Sequence, residues 1–322
     1  MRAPKGSTAL LFALLLCVGN ALAQAYPNKA IRVVIGALPG DACDVLTRLL
    51  GAKMSERLGQ PLIVDNRPGA SGTIAIALVA KAAPDGYTIA CGQGGNMSVA
   101  PHAMKTPSFD AIKDFTGVAL IATNYLALVV NPNLPIRTVE ELIRELKANP
   151  GKVSFASNGE GAFLHFATES FRSMVGFTYL HVPFKGVSQM ATEIMGGRVD
   201  AAFASFTGMY PFVTSGKLRL LGIAKAKRAE NYPDIPTIAE TVPGFTSGGW
   251  FGFVAPAGTP KAIVDLLNKE ANAAMREPDV REKMTALGLE IWNEPPEYMT
   301  DLLKSDYEKY GKLAREVGIT KQ

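Results

Sequence analysis

Two glycine-rich turns carry the residues best suited to chemistry, and that chemistry is the binding of a small anion. Each turn joins a predicted strand to a predicted helix, where backbone N–H groups are exposed at the carboxyl edge of a sheet. Neither turn contains lysine or arginine, so amides would hold the anion. The alternative is two ordinary strand–helix connections. The candidate ligand-binding residues are Pro39, Gly40, Asp41, Ala42, Cys43 and Asp44 in the first turn, and Ser157, Asn158, Gly159, Gly161, Ala162, Phe163 and His165 in the second.

Further candidates lie at the ends of other predicted strands, at the same edge. Trp250 and Phe251 are interpreted as core residues or, if their strand crosses between two lobes, as lining of a cleft. The expected secondary contributors to ligand binding are Asn66, Gly69, Ala70, Ser71, Gln93, Lys185, Phe203, Ala204 and Ser205.

Residues for catalysis are scarce. The chain has three histidines, and it contains no H-E-x-x-H, C-x-x-C or G-x-S-x-G motif. His165 follows the second turn inside a helix, where we expect it to position the turn rather than act as a base. The sequence therefore predicts a binding protein with no catalytic residue, no metal and no cofactor.

The elements that position the turns belong to an α/β fold. Ile31 to Ile35 is β-branched and nearly continuous, as in a buried strand. Apolar residues at helical spacing follow from Val45 to Leu58, with Asp44 as the expected N-cap. Strands and helices alternate up to about residue 254, and the remaining chain is predicted to form three helices without strands of their own.

This order of elements predicts two lobes. The C-terminal helices must pack on an existing sheet, so the chain is expected to leave the first lobe, build the second and return. We predict an α/β fold of two mixed sheets flanked by helices and joined by two crossover segments. Lobe 1 is expected to comprise residues 24–124 with 247–322, and lobe 2 residues 125–246.

The N-terminus has the pattern of an export signal. Arg2 and Lys5 precede an apolar run from Ala9 to Val18, and Ala21 to Ala23 forms an A-x-A cleavage site. Removal of residues 1–23 takes away two basic residues and no acid, which lowers the formal charge from +4 to +2. We therefore expect a periplasmic, monomeric protein that does not bind nucleic acid. Two cysteines, Cys43 and Cys91, remain after cleavage, either as free thiols or as a disulfide.

An ordered set of motifs resembles a known family over the whole mature chain. The motifs are Tyr26-Pro27 with Lys29, Pro39-Gly40 with Asp44, Asp65-Asn66-Arg67-Pro68-Gly69-Ala70, Ala83-Pro84-Asp85-Gly86-Tyr87-Thr88, Gly161 with Leu164-His165, His181-Val182-Pro183-Phe184-Lys185-Gly186, Gly196-Gly197 with Val199-Asp200, and Phe251-Gly252 with Ala255-Pro256-Ala257-Gly258-Thr259-Pro260. The chain resembles the Bug-type solute-binding receptors of tripartite tricarboxylate transporters.

The resemblance implies a type II-like, two-lobed periplasmic-binding-protein fold that closes on a small carboxylated solute. In such receptors the two turns hold the carboxylate through backbone amides and bridging waters. The partners implied are membrane permease subunits of a tripartite transporter. Two other functions compete with this one: a receptor that presents its solute to a membrane sensor kinase, and an exported enzyme.

Three departures from the family pattern bear on the solute. Asp41 and Cys43 stand where the family usually has glycine and threonine, Ala162 and Phe163 replace Thr or Ser, and Glu160 adds an acid. Inward-facing carboxylates would repel a second negative charge on the ligand and attract an amine. The sequence therefore predicts a monocarboxylate with an amino or aromatic group rather than a tricarboxylate such as citrate. The alternative is that both acids face solvent and only cap their helices.

Overall fold

The computed structural model describes residues 26–184 and 187–318, which form two mixed β-sheets flanked by helices. The predicted export signal and Lys185 lie outside the described residues. The strands are β1 Ile31–Ile35, β2 Leu62–Asn66, β3 Thr88–Gln93, β4 Phe115–Thr123, β5 Leu126–Val130, β6 Ser154–Ser157, β7 Leu180–Pro183, β8 Ala201–Ser205, β9 Arg219–Ile223, β10 Trp250–Pro256 and β11 Glu290–Ile291.

The α-helices alternate with these strands through most of the chain. They are α1 Ala42–Leu58, α2 Thr73–Ala80, α3 Ala100–Ala103, α4 Val139–Ala148, α5 Phe163–Val175, α6 Val187–Met195, α7 Phe206–Thr214, α8 Lys261–Arg276, α9 Pro278–Ala286 and α10 Pro296–Val317. Within the described ranges, no helix combines the length and apolar character needed to cross a lipid bilayer.

The first sheet has the strand order β11-β4-β10-β3-β1-β2. β1 pairs in parallel with β2 and β3, and β10 runs antiparallel to β3 and β4. The β-branched run of β1 is almost entirely buried, because helices cover both faces of the sheet. One face packs on α1 and α8, and the other packs on α2 and α10.

The second sheet has the order β7-β6-β8-β5-β9. β6 is parallel to β7 and β8, whereas β5 is antiparallel to β8 and β9. Its core is rich in phenylalanine, with Phe155, Phe171, Phe203 and Phe245 packed ring against ring. A helix between β8 and β9, α7, was not predicted from the sequence.

Two crossing segments connect the sheets, one before β5 and one before β10. They are held together by backbone hydrogen bonds, since Asn124 N donates to Gly249 O at 2.9 Å and Leu126 N donates to Ser247 O at 3.1 Å. A Cβ atom on Gly248 would collide with the Asn124 carbonyl oxygen, so the close approach of the segments requires glycine there. We propose the predicted lobe boundaries, 24–124 with 247–322 and 125–246, on this basis.

The C-terminal segment departs from the sequence prediction in two ways. It was expected to contain no strand, but β11 pairs with β4 at the edge of the first sheet. Helix α10 packs on the first sheet and also contacts α5, where Tyr310 meets Phe163 and Phe166 edge to face. The last helix therefore forms a third contact between the two halves of the fold.

Candidate functional site

A cavity of about 540 Å³ lies between the two sheets and contains residues from both predicted turns. Its walls come from the first sheet, the second sheet and both crossing segments. The lining residues are Asp41, Ser71, Gln93, Gly94, Gly95, Asn96, Ala100, Asn124, Leu126, Asn158, Gly161, Ala162, Phe163, Leu164, Val187, Ser205, Gly249, Trp250 and Phe251. Among these described residues Asp41 is the single charged side chain.

The first turn is fixed by its two acids. Asp41 is the N-cap of α1, and its Oδ2 accepts a hydrogen bond from Leu38 N at 3.0 Å. Asp44, expected to be the N-cap, lies instead in the first helical turn, where its Oδ2 accepts from Gly40 N at 2.9 Å. A hydrogen-bonded ion pair with Arg48 lowers the pKa of Asp44 to about 2. Asp44 thus stabilises the turn from the buried side, and Asp41 contacts the cavity.

The second turn uses several of its backbone donors internally. Gly161 N donates to His165 Nδ1 at 3.0 Å, and Leu164 N donates to Asn158 Oδ1 at 3.3 Å. Gly161 has a φ of +68°, which favours glycine and aims its amide at the histidine. These two N–H groups are therefore already paired, contrary to a clamp built from backbone amides alone.

Three asparagines in the cavity wall have the same hydrogen-bonding pattern. The Oδ1 of Asn96 accepts from Gln93 N at 2.9 Å, and the Oδ1 of Asn124 accepts from Gly249 N at 2.8 Å. Asn158 completes the set through its bond from Leu164 N. Because each carboxamide oxygen is paired with a backbone donor, the orientation of each amide group is determined. Within the described part of the chain, no acceptor is bonded to any of the three Nδ2 amino groups, and that of Asn96 is fully buried.

Apolar and aromatic side chains supply the rest of the cavity wall. Trp250, Phe251, Phe163 and Leu126 line it, and Trp250 Nε1 donates to Asp306 Oδ2 at 2.9 Å. Asp306 is on α10, and burial raises the pKa of its carboxyl group. The hydrogen bond holds the indole in place, so the organic part of a ligand would meet a preformed aromatic surface.

Comparisons with known proteins identify the family. Residues 46–319 match the model of the tripartite tricarboxylate transporter family receptor, TctC. The chain belongs to this family. It is 37% identical to a UPF0065 protein of Pseudomonas sp., with 91% of this chain and 88% of that protein aligned, and 32% identical to BugT of Bordetella pertussis, with 92% and 91% aligned. A solved R. palustris protein with adipate is 32% identical, has a TM-score of 0.80, and aligns over 92% of this chain and all of that one.

Family membership confirms three predictions for this TctC receptor. The resemblance to Bug-type receptors is correct, and so is the two-lobed periplasmic-binding-protein fold class. Because the family and its structural neighbours are solute-binding proteins, the receptor is not an enzyme.

The structure separates the predicted site residues of the receptor into two groups. Eight of them line the cavity: Asp41, Ser71, Gln93, Asn158, Gly161, Ala162, Phe163 and Ser205. Outside its lining lie Pro39, Gly40, Ala42, Cys43, Asp44, Ser157, Gly159, His165, Asn66, Gly69, Ala70, Phe203 and Ala204. Asn66 instead bonds Asp44 and Arg48, and Phe203 is fully buried in the second core.

Sequence reasoning missed Asn96 and Asn124. Asn96 belongs to a π-helical turn, Gly95–Val99, that follows β3 directly. Such turns are rare in proteins as a whole but occur often at functional sites. Hydrophobic periodicity does not predict them. Asn124 lies in a crossing segment, and the signal available for it was its position between the two predicted lobes.

A second, lateral pocket of about 360 Å³ lies on the other side of the second turn. His165 and His181 stack there with ring centroids 4.0 Å apart, and Ser157 Oγ is 2.6 Å from His181 Nε2. Glu160 and Glu169 also line this pocket. Glu160 is absent from the lining of the main cavity, so of the two acids considered from the sequence only Asp41 contacts it.

Because His165 is buried and stacked on His181, we expect the stability of the fold to fall at acid pH. Burial, followed by the proximity of His181, lowers the pKa of His165 to about 4 from a usual value of about 6.5. Between these two values the unfolded chain binds a proton that the folded receptor does not, so stability falls as the pH falls. After allowance for solvent screening we expect a loss of about 2 kcal/mol between pH 7 and pH 4.5, measured by urea unfolding.

His165→Asn is the matched control for this pH dependence. The asparagine oxygen can accept the Gly161 N–H in place of His165 Nδ1, but it does not titrate. The variant should lose about 2 kcal/mol less than the wild type over the same pH range. Equal losses in the two proteins would show that His165 does not carry the effect.

Proposed function

We propose that this TctC receptor captures a small carboxylic acid in the periplasm and delivers it to the membrane permease of a tripartite transporter. The family match and the adipate-containing relative support this function. The cavity lies between the two sheets, where hinge motion of the crossing segments can close it. Export and the permease partner are part of the proposal.

The arrangement of the asparagines is the observation that carries the proposal. Asn96, Asn124 and Asn158 come from three separate segments, and each has its oxygen paired with a backbone N–H. Among the described residues, the amino groups of Asn124 and Asn158 are unpaired and available to a ligand, whereas that of Asn96 is unpaired but fully buried. N–H donors of this kind suit a carboxylate, because hydrogen bonds to an ionised acceptor are short and strong. The site therefore recognises the acid group with neutral donors instead of a cation.

Asp41 defines the class of acid that we propose. Its Oδ2 accepts the Leu38 N–H within the first turn, but the residue also lines the cavity, where a second negative charge on the ligand would be unfavourable. Phe163 and Trp250 line the cavity, and aromatic side chains favour contact with a planar ligand. The proposed solute is a monocarboxylate that carries an amino or aromatic group.

A ligand screen of the wild type and of Asp41→Asn tests both the receptor function and the proposed class of ligand. We expect amino or aromatic monocarboxylates to raise the melting temperature of the wild type more than adipate or citrate. A ligand at 100 times its Kd should add about 2.7 kcal/mol. Removing the charge of Asp41 should shift the preference towards dicarboxylates by about tenfold in calorimetry, while Asp234→Asn, an exposed substitution outside the cavity, should not.

Two outcomes of this screen, and a separate uptake assay, are informative. Tight binding of citrate with no response to amino and aromatic acids would contradict the proposed ligand class. No binding of any carboxylate would contradict the receptor function itself. Uptake of the bound acid that disappears when the permease genes are deleted would support delivery to the transporter, whereas binding without uptake would favour presentation to a sensor kinase.

A further inference from the structure

We propose that Cys43 and Cys91 form a disulfide bond in the exported receptor. This bond would link two segments next to the cavity, the first turn of α1 and the end of β3. The oxidising location rests on the proposed function, whereas the pairing rests on the geometry of the fold. Both thiols are buried, and their Sγ atoms are 2.7 Å apart. Two unbonded carbon atoms, which are smaller than sulfur, prefer about 3.5–4.0 Å.

The surrounding backbone brings the two cysteines together independently of the thiol contact. Cys91 is paired in register with Ile35 on β1, and Cys43 lies in the first turn of the helix that follows β1. Cys43 Sγ is also 3.4 Å from the carbonyl oxygen of Cys91. A movement of about 0.7 Å would bring the sulfurs to the bonded distance.

The chemistry requires an oxidant, which the oxidising compartment outside the cytoplasm supplies as a small or protein disulfide. One cysteine thiolate attacks that disulfide, releases one reduced thiol and forms a mixed disulfide. The second cysteine thiolate then displaces the other sulfur. The protein loses two protons and two electrons, and the oxidant becomes two thiols.

Burial determines when this reaction can occur. In the folded protein burial raises the pKa of Cys43 well above its usual value, with the neighbouring Cys91 as a further cause. A protonated and inaccessible thiol reacts slowly. The bond should therefore form while the chain is folding, and it should then resist reduction because reductants cannot reach it.

The position of the pair gives the bond a role in the binding site. Cys43 follows Asp41 by two residues, and Cys91 precedes Gln93 by two residues. Asp41 and Gln93 both line the cavity. The bond would close a loop of 48 residues and fix the turn of α1 against the end of β3. We expect the melting temperature to fall by roughly 5–10 °C when it is reduced.

Thiol counting on the mature exported protein, from which residues 1–23 have been removed, tests the inference. The receptor is isolated without reductant, unfolded in guanidinium chloride and treated with a maleimide. We expect no modified cysteine in this sample and two after prior reduction in denaturant. A Cys43→Ala/Cys91→Ala variant should have the same melting temperature before and after treatment with reductant. The melting temperature of the wild type should fall after the same treatment. Two free thiols in the unreduced wild type would overturn the inference.

A refolding arm separates this inference from the proposed function. Reduced wild-type protein is refolded with oxidised glutathione, which supplies the oxidant whatever the cellular location. Cross-linking in this arm supports the pairing even if the protein fails to bind any carboxylate. Absence of the cross-link, in a sample that still binds its ligand, would overturn the pairing and leave the receptor function standing.

Discussion

Asn158→Asp is expected to weaken binding of a carboxylate at least a hundredfold and to leave the fold intact. The aspartate keeps an oxygen for the Leu164 N–H, and a negative charge at the start of α5 suits the helix dipole. The substitution replaces the amino donor by a second carboxylate oxygen. Loss of a hydrogen bond to a charged group costs about 1.5–3 kcal/mol, and repulsion between like charges adds to that loss.

Calorimetry with the tightest-binding acid from the ligand screen measures this effect. Asn133→Asp is the matched control, since it makes the same charge change at an exposed position outside the cavity. The control should bind within about twofold of the wild type, because distant surface charges are screened by salt. Wild-type affinity in Asn158→Asp would show that the carboxamide does not contact the acid group.

Phe203→Ala should lower the free energy of unfolding by roughly 3–5 kcal/mol. The residue was a candidate for ligand contact, but its ring is fully buried between Phe171 and Phe245, with centroids 5.6 and 5.5 Å away. Removing it leaves a void in the core of the second sheet, away from the cavity lining. Urea unfolding measures the loss, and ligand affinity below the transition should be nearly unchanged.

Phe163→Ala makes the same deletion at a ring that lines the cavity and is only partly buried. This variant should show the opposite balance, with a clear loss of ligand affinity and a smaller loss of stability. If Phe203→Ala kept wild-type stability but lost the ligand, the assignment of Phe203 to the core would be wrong.

The difference between the predicted and the observed position of Asp44 shows what local sequence patterns do not predict. A buried strand followed by a glycine-rich turn and a helix is encoded within about thirty residues, and the structure contains all three at β1 and α1. Arg48 and Asn66, a residue from another strand, hold Asp44 inside the first helical turn, so that Asp41 is both the N-cap and the acid that contacts the cavity. Sequence spacing predicts that the turn exists but not which side chains it directs inwards.

The cavity wall is the clearest case of information held only by the tertiary structure. Asn96, Asn124, Asn158 and Trp250 are far apart in the chain and are brought together by strand order and by the two crossings. Helix α10 likewise contacts α5, a helix of the second sheet, through Tyr310. The sequence of α10 by itself predicts only an amphipathic helix.

The sequence by itself determined the α/β elements, the two strand–helix turns and the family, because hydrophobic periodicity, turn residues and ordered motifs act over short distances. The tertiary structure decided which residues share the cavity and which hydrogen-bond donors remain unpaired. Those properties arise when whole faces of helices and sheets are buried against one another, and no local pattern specifies that packing.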